Sequence, residues 1–136
     1  MKVDYNSNYQ GCFVCGKKNH EGMKLDFFYD EREALVFTKY RFKDFMQGFS
    51  GLVHGGFLSM LLDEVMAKAC LQKGLPAVTA RFEVWFRKPV FVGEEMTFQG
   101  RVKGVRGKKI EAEALCIDGN GNKRASAMAI FVKSEM

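Results

Sequence analysis

The run Gly55 to Gln72 constrains this chain most. It is the one convincing helical stretch, and it is apolar on most of its sides. A helix without a polar face has to be buried nearly all round. Gly74 and Pro76 stop it. The segments around it read as strands: Leu25 to Tyr29, Ala34 to Arg41, Val78 to Phe86, Glu95 to Lys103, Lys109 to Ile117 and Arg124 to Lys133. The spacing predicts turns at Asp30–Glu33, Val92–Glu94, Gly104–Gly107 and Asp118–Gly121, the last a strong hairpin signal. Residues 1–23 read as an extended arm or loop, and residues 43–53 as a long loop.

The order ββ–α–ββββ gives an α+β domain, and a single antiparallel sheet curled around the helix would bury it. With 136 residues, 47% of them hydrophobic, the chain is one globular domain, 1–136, rather than a disordered one. Thirteen phenylalanines beside only two prolines suit a sheet. No apolar run reaches the ~18–20 residues needed to span a bilayer. The first residues lack a secretory h-region, so a cytoplasmic setting is the expectation.

The helix opens on His54-Gly55-Gly56 and carries Asp63 and Glu64 in its middle. Successive residues stand ~100° apart on a helix. Glu64 therefore shares a ridge with Lys68 and Gln72, and the Glu-to-Lys order at i, i+4 favours an ion pair. That ridge is expected at the exposed edge. Asp63 instead lies on a stripe of small residues, Ser59, Ala67 and Cys70, with no basic neighbour on the helix. A solvated Asp63, or one paired with Arg81, is the plain alternative. The apolar surroundings favour a functional role.

The first N–H groups of a helix have no internal partner and carry partial positive charge. Gly55 and Gly56 leave them unshielded, so a polarised carbonyl can approach. His54 can cap the helix or orient a substrate. A helix terminus that binds an electrophile, together with a carboxylate, suits acyl-transfer hydrolysis. There is no Gly-x-Ser-x-Gly nucleophile elbow, and two histidines are too few for a His-rich metal site.

The net charge of +5 is mild, but Arg101, Lys103, Arg106, Lys108 and Lys109 cluster. They suit either a polyanionic partner or a solvated hairpin edge. Cys12-Phe-Val-Cys15 has half of a zinc-site spacing but no second half, and a redox pair would normally open a helix, whereas no helix pattern follows here, so a metal or redox role has little support in the sequence. A loop with partly buried thiols is the expectation, with neither metal nor cofactor.

The stretch HGGFLSMLLDE, with its acid nine residues after the histidine, resembles the hotdog-fold acyl-CoA thioesterases, in particular the branch named after the phenylacetate-pathway thioesterase. CFVCGKKNHEGMKLDF is similar to the N-terminal arm of many members. VTARFEVWFRKPVFVGEEMTFQGRV is similar to their strand pair after the helix. The likeness spans roughly residues 12–133. It implies a sheet of about six strands wrapped around one helix. It also implies a homodimer or homotetramer with active sites between subunits, and acyl-CoA as substrate. In that family Asp63 would be the general base or nucleophile. The Gly55 amide would polarise the thioester carbonyl, and His54 would support the loop. Thr79 would assist the carboxylate, and Gln47 would position water. Arg106, Lys108 and Lys109, with Arg81 or Arg87, would meet the CoA phosphates. Gly56 and Phe57 would border the substrate, and Phe45, Met46, Phe49 and Met60 would line an apolar acyl pocket.

A hotdog protein that binds acyl-CoA without hydrolysing it is the alternative, and Asp63 argues against it. A hydratase ranks below, because His54-Gly-Gly lacks the surrounding prolines. Nucleic-acid binding ranks last, because the phenylalanines alternate as core residues rather than forming a stacking platform. No membrane partner is expected.

Overall fold

The computed structural model describes residues 2, 3 and 7–134. Six strands form one antiparallel sheet: β1 (Phe28–Asp30), β2 (Leu35–Arg41), β3 (Ala77–Phe86), β4 (Glu95–Arg106), β5 (Lys109–Ile117) and β6 (Lys123–Lys133). Their order across the sheet is β1-β2-β4-β5-β6-β3, so β3 is an edge. The single α-helix of the described residues, α1 (Gly55–Gln72), lies in the concave face. This is the hotdog arrangement that the resemblance implied. The helix limits match the sequence reading. Among the described residues no helix is long and apolar enough to cross a membrane.

The strand alternation explains how the helix is held. Met96, Phe98 and Gly100 of β4 point inward, as do Ile110, Ala112, Ala114 and Cys116 of β5 and Ala125, Ala127, Ala129 and Phe131 of β6, and all are buried. The middle of this surface is glycine and alanine, which lets the helix sit close. A Cβ on Gly100 would stand 2.6 Å from the carbonyl carbon and oxygen of Val65. Leu58, Leu61, Leu62, Val65, Met66, Ala69 and Cys70 of α1 fill the space between.

Several boundaries differ from the sequence reading. β1 is only Phe28–Asp30, and Leu25 lies before it as loop. β4 runs through Gly104 to Arg106, which moves the turn to Gly107 and Lys108. An irregularity between Val102 and Gly104 lets β4 continue. The arm is not simply extended: a 3-10 turn at Ser7–Tyr9 and tight turns after it fold the segment onto α1. Val3, Val14 and Cys15 are buried there; residues 1 and 4–6 of the arm lie outside the described residues.

That folded arm overturns one expectation. The Glu64–Lys68 ridge is not at an exposed edge. The ion pair forms at 2.7 Å, but Lys68 is 0% and Glu64 14% exposed at the side chain. Tyr9 and Phe27 face the ammonium at 4.2 and 5.7 Å from their ring centroids. Burial works against the Lys68 charge, yet the Glu64 carboxylate outweighs it and its pKa is raised.

A side chain at Gly100 has backbone, not a movable side chain, in its way. Gly100→Ala is expected to cost about 1–3 kcal/mol of stability, the usual range for overpacking. The urea unfolding midpoint measures it, and an unchanged midpoint would contradict this close seating.

Candidate functional site

His54 is the N-cap of α1. Its Nδ1 accepts the Gly56 N–H at 2.8 Å, so that nitrogen carries no proton. The ring lies between two glycines: a Cβ would stand 3.0 Å from Nδ1 at Gly56 and 3.3 Å from Cδ2 at Gly48. The His54 N–H donates to Met46 O at 2.9 Å, and its carbonyl accepts Phe57 N–H at 3.0 Å. The Gly-Gly pair therefore divides its work. Gly56 gives room and a donor to the cap, and the Gly55 N–H has no hydrogen bond among the described residues. Phe86, 56% exposed, lies over Gly55, with its ring 3.2 Å from where a Cβ would be.

Asp63 is half-buried, and its Oδ1 accepts the Thr79 hydroxyl at 2.6 Å. Burial pushes its pKa up; the Thr79 bond opposes this, and the Glu64 charge adds to the rise. A bulge in β3 makes the contact. Thr79 pairs with Phe131, but Arg81 pairs with the adjacent Ile130, leaving Ala80 extra. Beyond the bulge Phe82 and Val84 alternate inward; before it Thr79 and the buried Ala77 turn toward the helix instead, and Val78 is 55% exposed.

Gly55 and Asp63 are not neighbours within one chain. They are eight residues apart on one helix, about 12 Å along its axis at 1.5 Å per residue. They serve the two ends of β3: Gly55 lies by Phe86, and Asp63 by Thr79.

The other candidate residues divide between these ends. Arg81, Arg106 and Lys109 line one groove with Val105, Ile130 and Val132. The register places it at the Asp63 end of the sheet but on the outer face, because Lys109, Glu111, Ile130 and Val132 alternate with the inward-pointing Ile110 and Phe131. Arg81 also pairs with Glu83 at 3.0 Å. Lys108 sits in the β4–β5 turn and is exposed, but does not line that groove. Arg87 is at the opposite end, beside Gly55, Leu58 and Phe86, with its guanidinium donating to Ser126 Oγ at 3.0 and 3.2 Å.

Gln47 is bound within its own loop. Its amide nitrogen donates to Asp44 O at 2.8 Å, and its oxygen accepts the Gly51 N–H at 2.7 Å. Of the acyl-pocket candidates, Met46 is buried in the core and holds no open surface. Phe57 and Met60 are partly buried, while Phe45 and Phe49 are 76% and 81% exposed. The sequence reading passed over Phe86 as a contact for Gly55, since the strand order that brings them together is seen only in the structure.

This fold belongs to a known class. The thioesterase superfamily model matches residues 50–125, more than half of the chain, and the chain belongs to that family. Acyl-coenzyme A thioesterase THEM4 of rat is 22% identical over 114 residues, 82% of this chain and 49% of that protein. The mouse protein of the same name is 22% identical over 89 residues, 65% of this chain and 38% of its own length. This chain thus spans half or less of these curated relatives. Among solved structures, thioesterase superfamily protein RHA08564 is similar with a TM-score of 0.81 at 26% identity, over 88% of this chain and 61% of that one. The smu.793 protein of Streptococcus mutans UA159, solved bound to acetyl CoA, has a TM-score of 0.74 at 17% identity, over 81% of this chain and 88% of that one.

The raised pKa of Asp63 has a consequence for stability. A carboxyl whose folded pKa lies above its ordinary 3.8 stabilises the fold while protonated, and that contribution is lost as pH rises through the folded value. Asp63→Asn is therefore expected to be the more stable protein at neutral pH, as its unfolding midpoint in urea would show. Urea unfolding from pH 7 downward should show the gap closing as Asp63 protonates.

Proposed function

We propose that this chain is an acyl-CoA thioesterase in which Asp63 provides the carboxylate and the Gly55 N–H polarises the thioester carbonyl. The hydrogen-bonded Asp63–Thr79 pair carries this reading. A carboxylate with a raised pKa is a stronger base than a free one, and Thr79 orients it by one oxygen. The other oxygen is left to activate water or to attack. The Gly55 N–H at the positive end of α1 would stabilise the developing oxyanion, a contribution of about 3–4 kcal/mol per well-placed donor. His54 holds that terminus through Gly56, and Gln47 acts by bracing the loop before it. The CoA thiolate leaves readily, so no strong general acid is needed. The names of the family and of THEM4 support a thioester substrate. Arg81, Arg106, Lys108 and Lys109 supply positive charge for the CoA phosphates on the outer face at the Asp63 end of the sheet, with Arg87 at the other end. Four free thiols suit a cytoplasmic setting.

The reaction needs Asp63 and Gly55 at one carbonyl, and about 12 Å along one helix separates them. A second copy resolves this. β3 is an open edge ten residues long, with Val78, Trp85 and Phe86 exposed by 55%, 43% and 56%. Two-fold antiparallel pairing of β3 with its copy would set the Thr79 end of one subunit beside the Phe86 end of the other. Each site would take Asp63 from one chain and Gly55 from the other.

Three measurements test this. Asp63→Asn and Asp63→Ala are expected to lose at least about a hundredfold in thiol release from acyl-CoA, the scale of a lost general base, while the dimer persists in size-exclusion chromatography. Wild-type turnover by either, or tight acyl-CoA binding by the wild type without thiol release, would favour a binding protein. Thr79→Val removes the bond that opposes the rise in Asp63 pKa, so the acid limb of the kcat–pH profile should move to higher pH. Gly55→Pro deletes the N–H at a position where helices tolerate proline, and His54 at ψ 132° already has the extended backbone that precedes proline. Mixed with Asp63→Ala, this inactive variant should recover activity through heterodimers that contain one intact site. No recovery after verified subunit exchange would place both groups in one chain.

A further inference from the structure

The arm and α1 enclose a second reactive cluster, which the thioester chemistry does not use. Cys12, Cys15 and Glu64 bring two sulfurs and a carboxylate oxygen within 4.8 Å of one another. The Cys12 thiol donates to Glu64 Oε2 at 3.6 Å, and Lys68 Nζ donates to the same oxygen at 2.7 Å. The loop is built to hold this arrangement. Gly16 N–H donates to Cys12 O at 2.9 Å, closing a turn across the pair. A Cβ on Gly16 would meet backbone atoms of Gln10 and Cys12 at 2.3–2.6 Å, so the residue after Cys15 must be glycine.

The two thiols differ in access. Cys12 is partly exposed and Cys15 is fully buried beneath it. An outer thiol that meets a reagent and an inner one that only its neighbour can reach form the usual division between an attacking and a resolving cysteine. We propose that Cys12 and Cys15 form a redox-active dithiol, which low-molecular-weight disulfides convert to a Cys12–Cys15 disulfide.

The step balances. The Cys12 thiolate attacks one sulfur of the small disulfide; a mixed disulfide forms and one small thiolate leaves. Cys15 gives up its proton and attacks Cys12 Sγ, forming the internal bond and releasing the second small thiolate. The protein loses two electrons and two protons, and the reagent gains them as two thiols. A hydrogen bond from Cys15 holds the Cys12 pKa down to about 6, while that bond and burial push Cys15 up. Cys12 is thus the one that ionises first.

The cluster is a poorer metal site. Its centre already holds a cation, the Lys68 ammonium, which has no exposed surface and bonds the carboxylate that a metal would need. The bridge links residues three apart in one turn, so it changes the chemistry of the arm without altering the chain topology.

The test uses the whole chain with oxidised glutathione near neutral pH, an acid quench, iodoacetamide and peptide mass mapping. In the wild type, the peptide holding both cysteines should lose two hydrogens. In Cys15→Ser a glutathione adduct should accumulate on Cys12. In Cys12→Ser, Cys15 should stay a thiol. Cys70 and Cys116, buried and pushed up to about 12, are internal controls. Without oxidant, Cys12 should alkylate at least about tenfold faster than either. Should a serine variant fail to fold, the wild-type mapping decides alone. No disulfide under conditions that oxidise an unfolded control, or an adduct on Cys15 in place of Cys12, would overturn the proposal. So would stoichiometric zinc in the purified protein that both serine variants lose. None of these outcomes depends on acyl-CoA turnover.

Discussion

The close seating of α1 on a glycine and alanine floor governs the rest of this structure. Val65 backbone rests where a Gly100 side chain would be, and Ala112, Ala114, Ala127 and Ala129 leave little length with which neighbours could adjust. Close-packed interiors resist small displacements, so the rotation of the helix about its axis is fixed. Each of its faces then has one environment. The leucine and valine face meets the sheet, the Asp63 stripe meets β3, and the Glu64–Lys68 ridge meets the arm.

That fixed rotation gives two adjacent acids different chemistry. Glu64 has a buried ammonium at 2.7 Å and two aromatic rings beyond it. Among the described residues Asp63 has a single hydroxyl and no cation bonded to it. The two acids are still coupled, because the Glu64 charge is one of the causes that raise the Asp63 pKa and Lys68 is the cation paired with Glu64. Removing one member of a buried ion pair is strongly destabilising, so the arm, the ridge and the proposed carboxylate are energetically linked.

Sequence patterns revealed the helix, the hairpins and the isolation of Asp63, because these rest on periodicity and on contacts close along the chain. The bulge at Ala80 was not visible. One inserted residue leaves no compositional mark, and strict alternation from Phe86 backward assigns Thr79 to the outer face. Thr79 entered only through the family resemblance. Burial of Lys68 was hidden for a different reason: Glu64, Lys68 and Gln72 have the composition of a solvated ridge, and what covers them comes from Tyr9, Cys12 and Phe27, far away in sequence. The Gly-Gly terminus was read as two bare donors, whereas one of them serves the His54 cap.

A helix terminus and a mid-helix carboxylate on one rigid rod cannot converge by local adjustment. Bending α1 enough to bring them together would break its contact with Gly100, and an extended substrate cannot help because both groups must address one carbonyl. The sheet offers a solution with no such cost. Its one long open edge is the strand that carries Thr79 at one end and Phe86 at the other. A two-fold axis across that edge exchanges the ends, so pairing two incomplete halves would produce two complete sites. On this view the exposed apolar residues of β3 and the separation of the proposed catalytic groups have a common origin. The monomer is a scaffold that holds each half rigidly, and assembly supplies the distance that the helix cannot close.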